Sequence, residues 1–142
     1  MEDNILKIYD PLRDKYVALT QEEYVRRHFT QWMIDSLNYP ASNIANEVGL
    51  RVNDTLKRCD TLVIDRYGAP LMIVEYKAPV VEITQKTFDQ IVRYNMKLNA
   101  KYLIVSNGLN HYCCKIDYKA NNYQFIARIP DYKELIRDFS DN

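Results

Sequence analysis

Two carboxylates and an amine share one apolar stretch of this chain. "RCDTLVIDRYGAPLMIVEYKAP", residues 58–79, reads as two strands around a turn at "RYGA", yet it carries Asp60, Glu75 and Lys77. If Asp65 pairs with Pro70 across the turn, counting outward sets Leu62 opposite Ile73 and Asp60 opposite Glu75. Side chains directly opposed on neighbouring strands share a face, with Cβ atoms roughly 4.5–5.5 Å apart. Residues two apart on a strand point the same way, so Lys77 joins Glu75 on that face. Like charges so placed repel unless something positive lies between them. Lys77 supplies one charge, and a divalent cation held by hard carboxylate oxygens, Mg²⁺ or Mn²⁺, would supply the rest. The competing reading is a salt-bridged hairpin in which Lys77 neutralises Glu75. The flanking Leu62, Ile73 and Val74 argue for burial, where facing carboxylates are costly without a counter-ion.

The elements that must hold these residues follow from periodicity and punctuation. "ILKIYDPLRDKYVALT" reads as two extended pieces around Asp10-Pro11. Thr20 with Glu23 three positions on forms a capping box, opening a helix whose inward stripe is Val25, Phe29, Trp32 and Ser36, with Met33 and Leu37 beside it. That helix ends near "NYPAS". "NEVGLRV" is a strand with Val48, Leu50 and Val52 alternating, and the charged hairpin comes next. A second helix runs from about Thr84 to Asn99 and buries Phe88, Ile91, Val92 and Leu98. "KYLIVSNG", "HYCCKIDY" and "YQFIAR" are further strands, and "DYKELIRDF" is a closing helix. Strands and helices in this order predict an α/β fold, a mixed sheet with helices packed on its faces.

Composition narrows the function classes. With 142 residues the chain has room for one ordinary core, and its 47% hydrophobic and 27% charged residues are those of a folded globular protein. Nineteen basic residues balance nineteen acidic ones, so the overall charge does not advertise nucleic acid. No run approaches the roughly 18 apolar residues of a membrane span, and the start lacks the form of a secretory signal. Three cysteines, two of them adjacent, fit free thiols in a reducing compartment, so a cytoplasmic location is expected. "HYCC" at His111 to Cys114 lacks C-x₂-C spacing, and core packing explains it better than zinc.

At "RCDTLVID", "LMIVEYKAP", "FDQIVRYN" and "YLIVSNG", with "LTQEEYVRRHF" upstream, the chain resembles the PD-(D/E)xK nuclease superfamily. More narrowly it resembles the N-terminal domain of type I restriction enzyme R subunits. The likeness runs from about Thr20 to Tyr118, which would be the core of a single domain spanning 1–142. Asp-x(14)-Glu-x-Lys alone is a weak pattern, but Gln90-x-x-x-Tyr94 on the next helix and an acidic helix before it make it specific. The resemblance implies a restriction-endonuclease-like core of α-β-β-β-α-β order and Mg²⁺-dependent cleavage of DNA phosphodiester bonds. Asp60 and Glu75 would then hold the metal, and Lys77 would orient or activate the attacking water. Gln90 and Tyr94, one helical turn apart, would present one edge towards the site or the substrate backbone.

The departures from that pattern are informative. The first motif reads Cys59-Asp60 rather than Pro-Asp, and no G-x-x-x-x-G-K-[ST] phosphate loop is present, so the likeness is to the nuclease module without its motor. The family often contributes a glutamate from the first helix. Glu23 has a capping role, and at ~100° per residue Glu22 projects between Phe29 and Met33, which makes it the better candidate. Glu47, on the strand before the hairpin, is a further one. Arg26, Arg27, Lys86, Arg93, Lys97 and Lys101 could track phosphates, although helix faces carry such charges as ordinary solvated surface. DNA, other restriction-system subunits and a second copy of the chain are the expected partners. A non-catalytic module of the same fold, binding nucleic acid or a partner protein, is the alternative.

Overall fold

The computed structural model describes residues 5–52 and 54–140, with the side chains of all of these except 50, 52, 57, 139 and 140. β1 (Lys7–Asp10) and β2 (Lys15–Ala18) form a separate antiparallel hairpin around Asp10-Pro11. α1 (Gln21–Leu37) follows, then β3 (Ile44–Val52), β4 (Thr55–Ile64) and β5 (Pro70–Tyr76). α2 (Gln85–Asn95) crosses over to β6 (Tyr102–Ser106), and β7 (His111–Asp117), β8 (Asn122–Ile126) and α3 (Tyr132–Ser140) complete the chain. The main sheet has six strands in the order β3-β4-β5-β6-β7-β8. Only β5 and β6 pair in parallel, as a helical crossover requires. The expected α/β class and mixed sheet are therefore the observed ones.

Each element forms for a local reason. Thr20 Oγ1 accepts the Glu23 amide at 3.1 Å and so caps α1. Only half of the expected capping box exists, because the Thr20 amide bonds to the Ala18 carbonyl instead. Asn38, in the left-handed region at φ 61°, stops the helix. The buried face of α1 is Val25, Arg26, Phe29, Thr30 and Met33, one residue round from the expected stripe; Trp32 and Ser36 lie on the exposed side. Thr84 Oγ1 caps α2 through the Thr87 amide, and the end of the expected helix, Met96–Leu98, tightens into a 3₁₀ turn.

The sheet separates two apolar layers. Val63, Met72, Val74 and Tyr76 face Val25, Phe29 and Met33 of α1 and Leu135 of α3. Leu62, Ile73, Leu103 and Val105 face Phe88, Ile91 and Val92 of α2. Val48 packs on this second layer; its expected partners in alternation, Leu50 and Val52, lie outside the described side chains. Cys113 and Cys114 are buried and unbridged, as core residues.

In the charged hairpin the expected pairing of Leu62 with Ile73 holds, but Asp65 does not pair with Pro70. The register shifts after Val63, so that Ile64 faces Pro70. Asp65 instead ties the turn: its Oδ1 accepts the Tyr67 and Ala69 amides at 2.8 and 2.9 Å, and its own amide bonds to the Ala69 carbonyl.

Gly68 and Gly108 both have positive φ, 86° and 89°, but they differ in surroundings. A Cβ on Gly68 meets nothing within 4 Å, whereas one on Gly108 would lie 3.2 Å from Val25. Gly68→Ala should lower the unfolding free energy by about 1 kcal/mol, the left-handed strain alone. Gly108→Ala should cost more, because Val25 must also move; urea denaturation of the two variants measures the difference.

Candidate active site

The charged residues meet where β4 and β5 part. The ladder between these strands ends at Thr61 opposite Val74. The next amide along β5, Tyr76 N, donates to Asp60 Oδ2 at 3.0 Å rather than to a backbone carbonyl. Asp60 thus replaces a rung of the sheet with its carboxylate. Glu75 and Lys77 share one side of β5, with Lys77 Nζ 3.4 Å from Glu75 Oε2. The Lys77 amide bonds to the Ser106 carbonyl of β6 at 2.8 Å, which fixes the lysine past the end of its strand. Asp60, Glu75 and Lys77 all interact electrostatically across this opening.

Both carboxylates are only partly accessible, their side chains 32% and 23% exposed. Burial pushes the Asp60 carboxyl above its usual range, against the Tyr76 amide and the Arg26 charge, which oppose the shift. Burial likewise raises Glu75, despite Lys77 and the neighbouring Asn95 side chain, which oppose the shift. Local cations therefore do not fully offset the desolvation of the pair.

A network of ion pairs from α1 borders the site. Arg26 is 3% exposed, and its guanidinium bonds to Glu23 and, at 2.7 Å, to Glu47 Oε1. The same Nη2 lies 3.8 Å from Asp60 Oδ1. Burial opposes the charge on Arg26, but Glu23 and Glu47 outweigh it and raise its pKa further. Arg26 Nε is buried without a hydrogen-bond partner among the described residues. Glu23 also bonds to Arg13 at 2.7 Å, and Arg13 bonds to Asp10. Glu47 has φ 55°, a left-handed conformation unusual for a non-glycine residue inside a strand. The pairs Asn46–Thr61 and Val48–Cys59 bracket it, so Glu47 stands opposite Asp60.

Beneath the site runs a buried polar chain. Asn46 donates to Asp10 at 3.0 Å, Thr61 donates to Asn46 at 2.7 Å, and the Thr61 and Tyr76 hydroxyls lie 2.9 Å apart. It links the β1–β2 hairpin to the end of β5 and holds Tyr76, whose amide positions Asp60.

The other expected site residues fall elsewhere. Glu22 is exposed and does not project inward; Glu23 is the first-helix acid that reaches the network, because the buried face of α1 is rotated towards Arg26. Gln90 and Tyr94 are exposed on α2, and the α2 side chain that meets Glu75 is Asn95, which is 2% exposed and also donates to the Ile91 carbonyl at 2.8 Å. Arg26 is not part of a surface phosphate strip. Arg26 and Asn95 were missed as site residues, although each falls at helical spacing with apolar neighbours: 25, 26, 29, 30, 33 on α1 and 88, 91, 92, 95 on α2. A polar residue on such a stripe is the signal that could have found them.

Comparison with known proteins bears on this arrangement. The family model for the type I restriction enzyme R protein N terminus matches residues 21–130. The chain belongs to that family. Among solved structures, a fragment of a protein assigned as an HsdR subunit of a type I restriction enzyme from Vibrio vulnificus superposes with a TM-score of 0.61 at 21% identity. That superposition covers 87% of this chain but 26% of the other, so the chain corresponds to about a quarter of its relative. No curated protein matches. The match in structure carries the fold, which is the restriction-enzyme R-subunit fold expected from the motifs.

The raised carboxyl values have a definite pH sign. A folded state that binds its proton more tightly than the unfolded chain loses stability as pH rises from the ordinary carboxylate range of about 4 through the raised value. Above the raised value the penalty is fully in place. Asp60→Asn and Glu75→Gln should each raise Tm above that window by a few degrees, roughly 2–5 °C, and the gain should shrink as pH falls through the raised value and be gone below about 4; calorimetry across pH checks it.

Removing Arg26 has the opposite direction. Arg26→Met leaves Glu23 and Glu47 without their shared cation and should destabilise by about 3–5 kcal/mol, the cost of breaking a buried ion network. Denaturant melts at pH 7 measure it.

Proposed function

We propose that this chain is a PD-(D/E)xK nuclease domain that hydrolyses DNA phosphodiester bonds with Mg²⁺ or Mn²⁺. The observation that carries the reading is the convergence of Asp60, Glu75 and Lys77 where β4 splays from β5. Among the described residues no group of three or more His, Cys, Asp or Glu side chains is spaced to hold a metal. The donor set offered is two hard carboxylates at a half-open site, and Mg²⁺ is commonly held by one or two carboxylates with water and phosphate completing its shell. The unrelieved desolvation of both acids supports the fit, since a bound cation would favour their charged forms.

Asp60 and Glu75 would hold the ion, which when bound polarises a phosphoryl oxygen and acidifies water. The Tyr76 amide keeps Asp60 aimed into the opening, and Asn95 steadies Glu75. Lys77 brings an ammonium to the rim, where it orients the attacking water and offsets negative charge growing on the phosphate. Gln90 and Tyr94 are exposed one turn apart on α2, available to the substrate backbone. Membership of the R-protein family supports other restriction-system subunits as partners. Cutting both strands would call on a second copy of the chain. No helix among the described residues is long and apolar enough to cross a membrane, and a cytoplasmic setting with its DNA accords with the unbridged cysteines.

One observation favours a second reading. Arg26, 3.8 Å from Asp60, already places a cation beside the carboxylate, which would suit a non-catalytic module of the same fold. Cleavage decides between them. On supercoiled, linear and branched DNA with Mg²⁺ or Mn²⁺, the chain should cut, and Asp60→Ala and Lys77→Ala should each reduce the rate by at least about a hundredfold with the far-ultraviolet circular dichroism unchanged. Full activity in either variant removes the assignment. Binding of DNA or a partner protein without cleavage and without metal affinity establishes the binding module.

A further inference from the structure

α1 and the turn between β6 and β7 enclose a cleft of about 330 Å³. It lies off the C-terminal ends of the parallel strands β5 and β6, the place where open α/β sheets commonly bind ligands. Tyr24, His28 and Trp32 form one wall, and Gly108, Leu109 and His111 the other. Pro79, two residues beyond Lys77, lines the same cleft. Val25, the residue before Arg26, contributes to its floor. The cleft is joined to the charged site through Pro79, through Val25 next to Arg26, and through Ser106, whose carbonyl accepts the Lys77 amide just before the turn.

Flat rings dominate the lining. Trp32 and His111 are close to parallel, 16° apart with centroids at 6.1 Å. Phe29 meets both edge-on, at 5.4 and 5.1 Å, and Tyr24 lies 4.4 Å from His28. Phe29 belongs to the core, but the outer rings are open: Tyr24 is 52% and Trp32 38% exposed, and Leu109 at the rim is 74% exposed. The turn is braced from within. Asn107 Oδ1 accepts the Leu109 and Asn110 amides, and Asn107 Nδ2 donates to the Val81 carbonyl at 2.8 Å. Ser106 Oγ accepts the Gly108 amide and lies 2.6 Å from His111 Nδ1, which orients that ring and leaves its Nε2 for another partner.

From this geometry we infer that the cleft receives an unpaired nucleobase of the DNA strand whose phosphate lies at Asp60, Glu75 and Lys77, so that unpaired or frayed DNA is the substrate class. The inference rests on the phosphodiester reading of that site. A base is a flat ring with a polar edge, and the cleft offers aromatic faces, aliphatic rims and imidazole nitrogens. Its lining holds no Lys, Arg, Asp or Glu, so phosphate would be held next door rather than here. Stacking on aromatic side chains is sequence-tolerant, because every base has a π-face.

Trp32 is the only tryptophan, so its emission reports directly on the cleft. The full chain carrying Asp60→Asn, which holds DNA without turning it over, is titrated in Mg²⁺ with a short single-stranded oligonucleotide, its abasic counterpart and the matching duplex. The intact single strand should quench Trp32 and bind about tenfold more tightly than either of the others. Tyr24→Ser and Leu109→Asp, both at exposed positions, should each remove that tenfold advantage while the circular dichroism and the affinity for the abasic strand stay unchanged. Equal binding of intact and abasic strands, or an advantage untouched by both substitutions, overturns the proposal. DNA cleavage by the unsubstituted chain without base-dependent binding overturns the cleft assignment alone and leaves the nuclease reading. Base-dependent binding by a chain that cleaves nothing supports the cleft and removes the nuclease.

Discussion

Two carboxylates held half-buried at the splayed end of β4 and β5 are the constraint around which this molecule is organised. Burial disfavours the charged form of both acids, and the groups that oppose it are unevenly supplied. Asp60 receives the Tyr76 amide and a distant share of Arg26; Glu75 receives Lys77 and Asn95. Burial still prevails over these contacts, and both carboxyls are pushed upward. A fold that sought stability alone would fill such positions with apolar residues, as it does on either side at Leu62, Ile73 and Val74. Burial's upper hand over both acids leaves, at this opening, a charge that no neighbouring group fully offsets.

The surrounding structure limits the damage and fixes the geometry. Arg26 is pinned between Glu23 and Glu47 from α1 and β3, and the buried chain Asp10–Asn46–Thr61–Tyr76 locks the end of β5. Glu47 adopts a left-handed backbone opposite Asp60, a conformation that persists only where its neighbours over-determine it. α1 therefore does more than cover the sheet. It carries Arg26 into the charged network and, one helical face away, Tyr24, His28 and Trp32 into the aromatic cleft. One helix borders both features, and the turn that braces the cleft shares a hydrogen bond with Lys77.

Much of this was legible in the residues. Periodicity predicted the helices and the strands, and the alternation of the hairpin placed Leu62 against Ile73 and Asp60 on the side of Glu75. The misreadings on α1 share a cause. A stripe chosen by hydrophobicity put Trp32 and Ser36 inward, whereas α1 buries Arg26 and Thr30, because ion pairs and the Thr30 hydroxyl bond to the Arg26 carbonyl satisfy those polar groups. That rotation of one residue exchanged Glu22 for Glu23. On α2, Gln90 and Tyr94, named by the motif and not by a stripe, lie exposed, while the buried stripe also carries Asn95, whose side-chain amide donates to the Ile91 carbonyl.

The sequence by itself determined the class of fold, the strand register at the hairpin's centre and which three residues carry opposed charges, since side-chain period and turn chemistry are local properties. Only the tertiary structure decided that β4 leaves β5 at Asp60, that Arg26 is buried beside it and that the rings of α1 meet the β6–β7 turn. Those outcomes depend on which distant groups satisfy a buried charge or leave a ring exposed, and no spacing along the chain encodes the partner that arrives from another element.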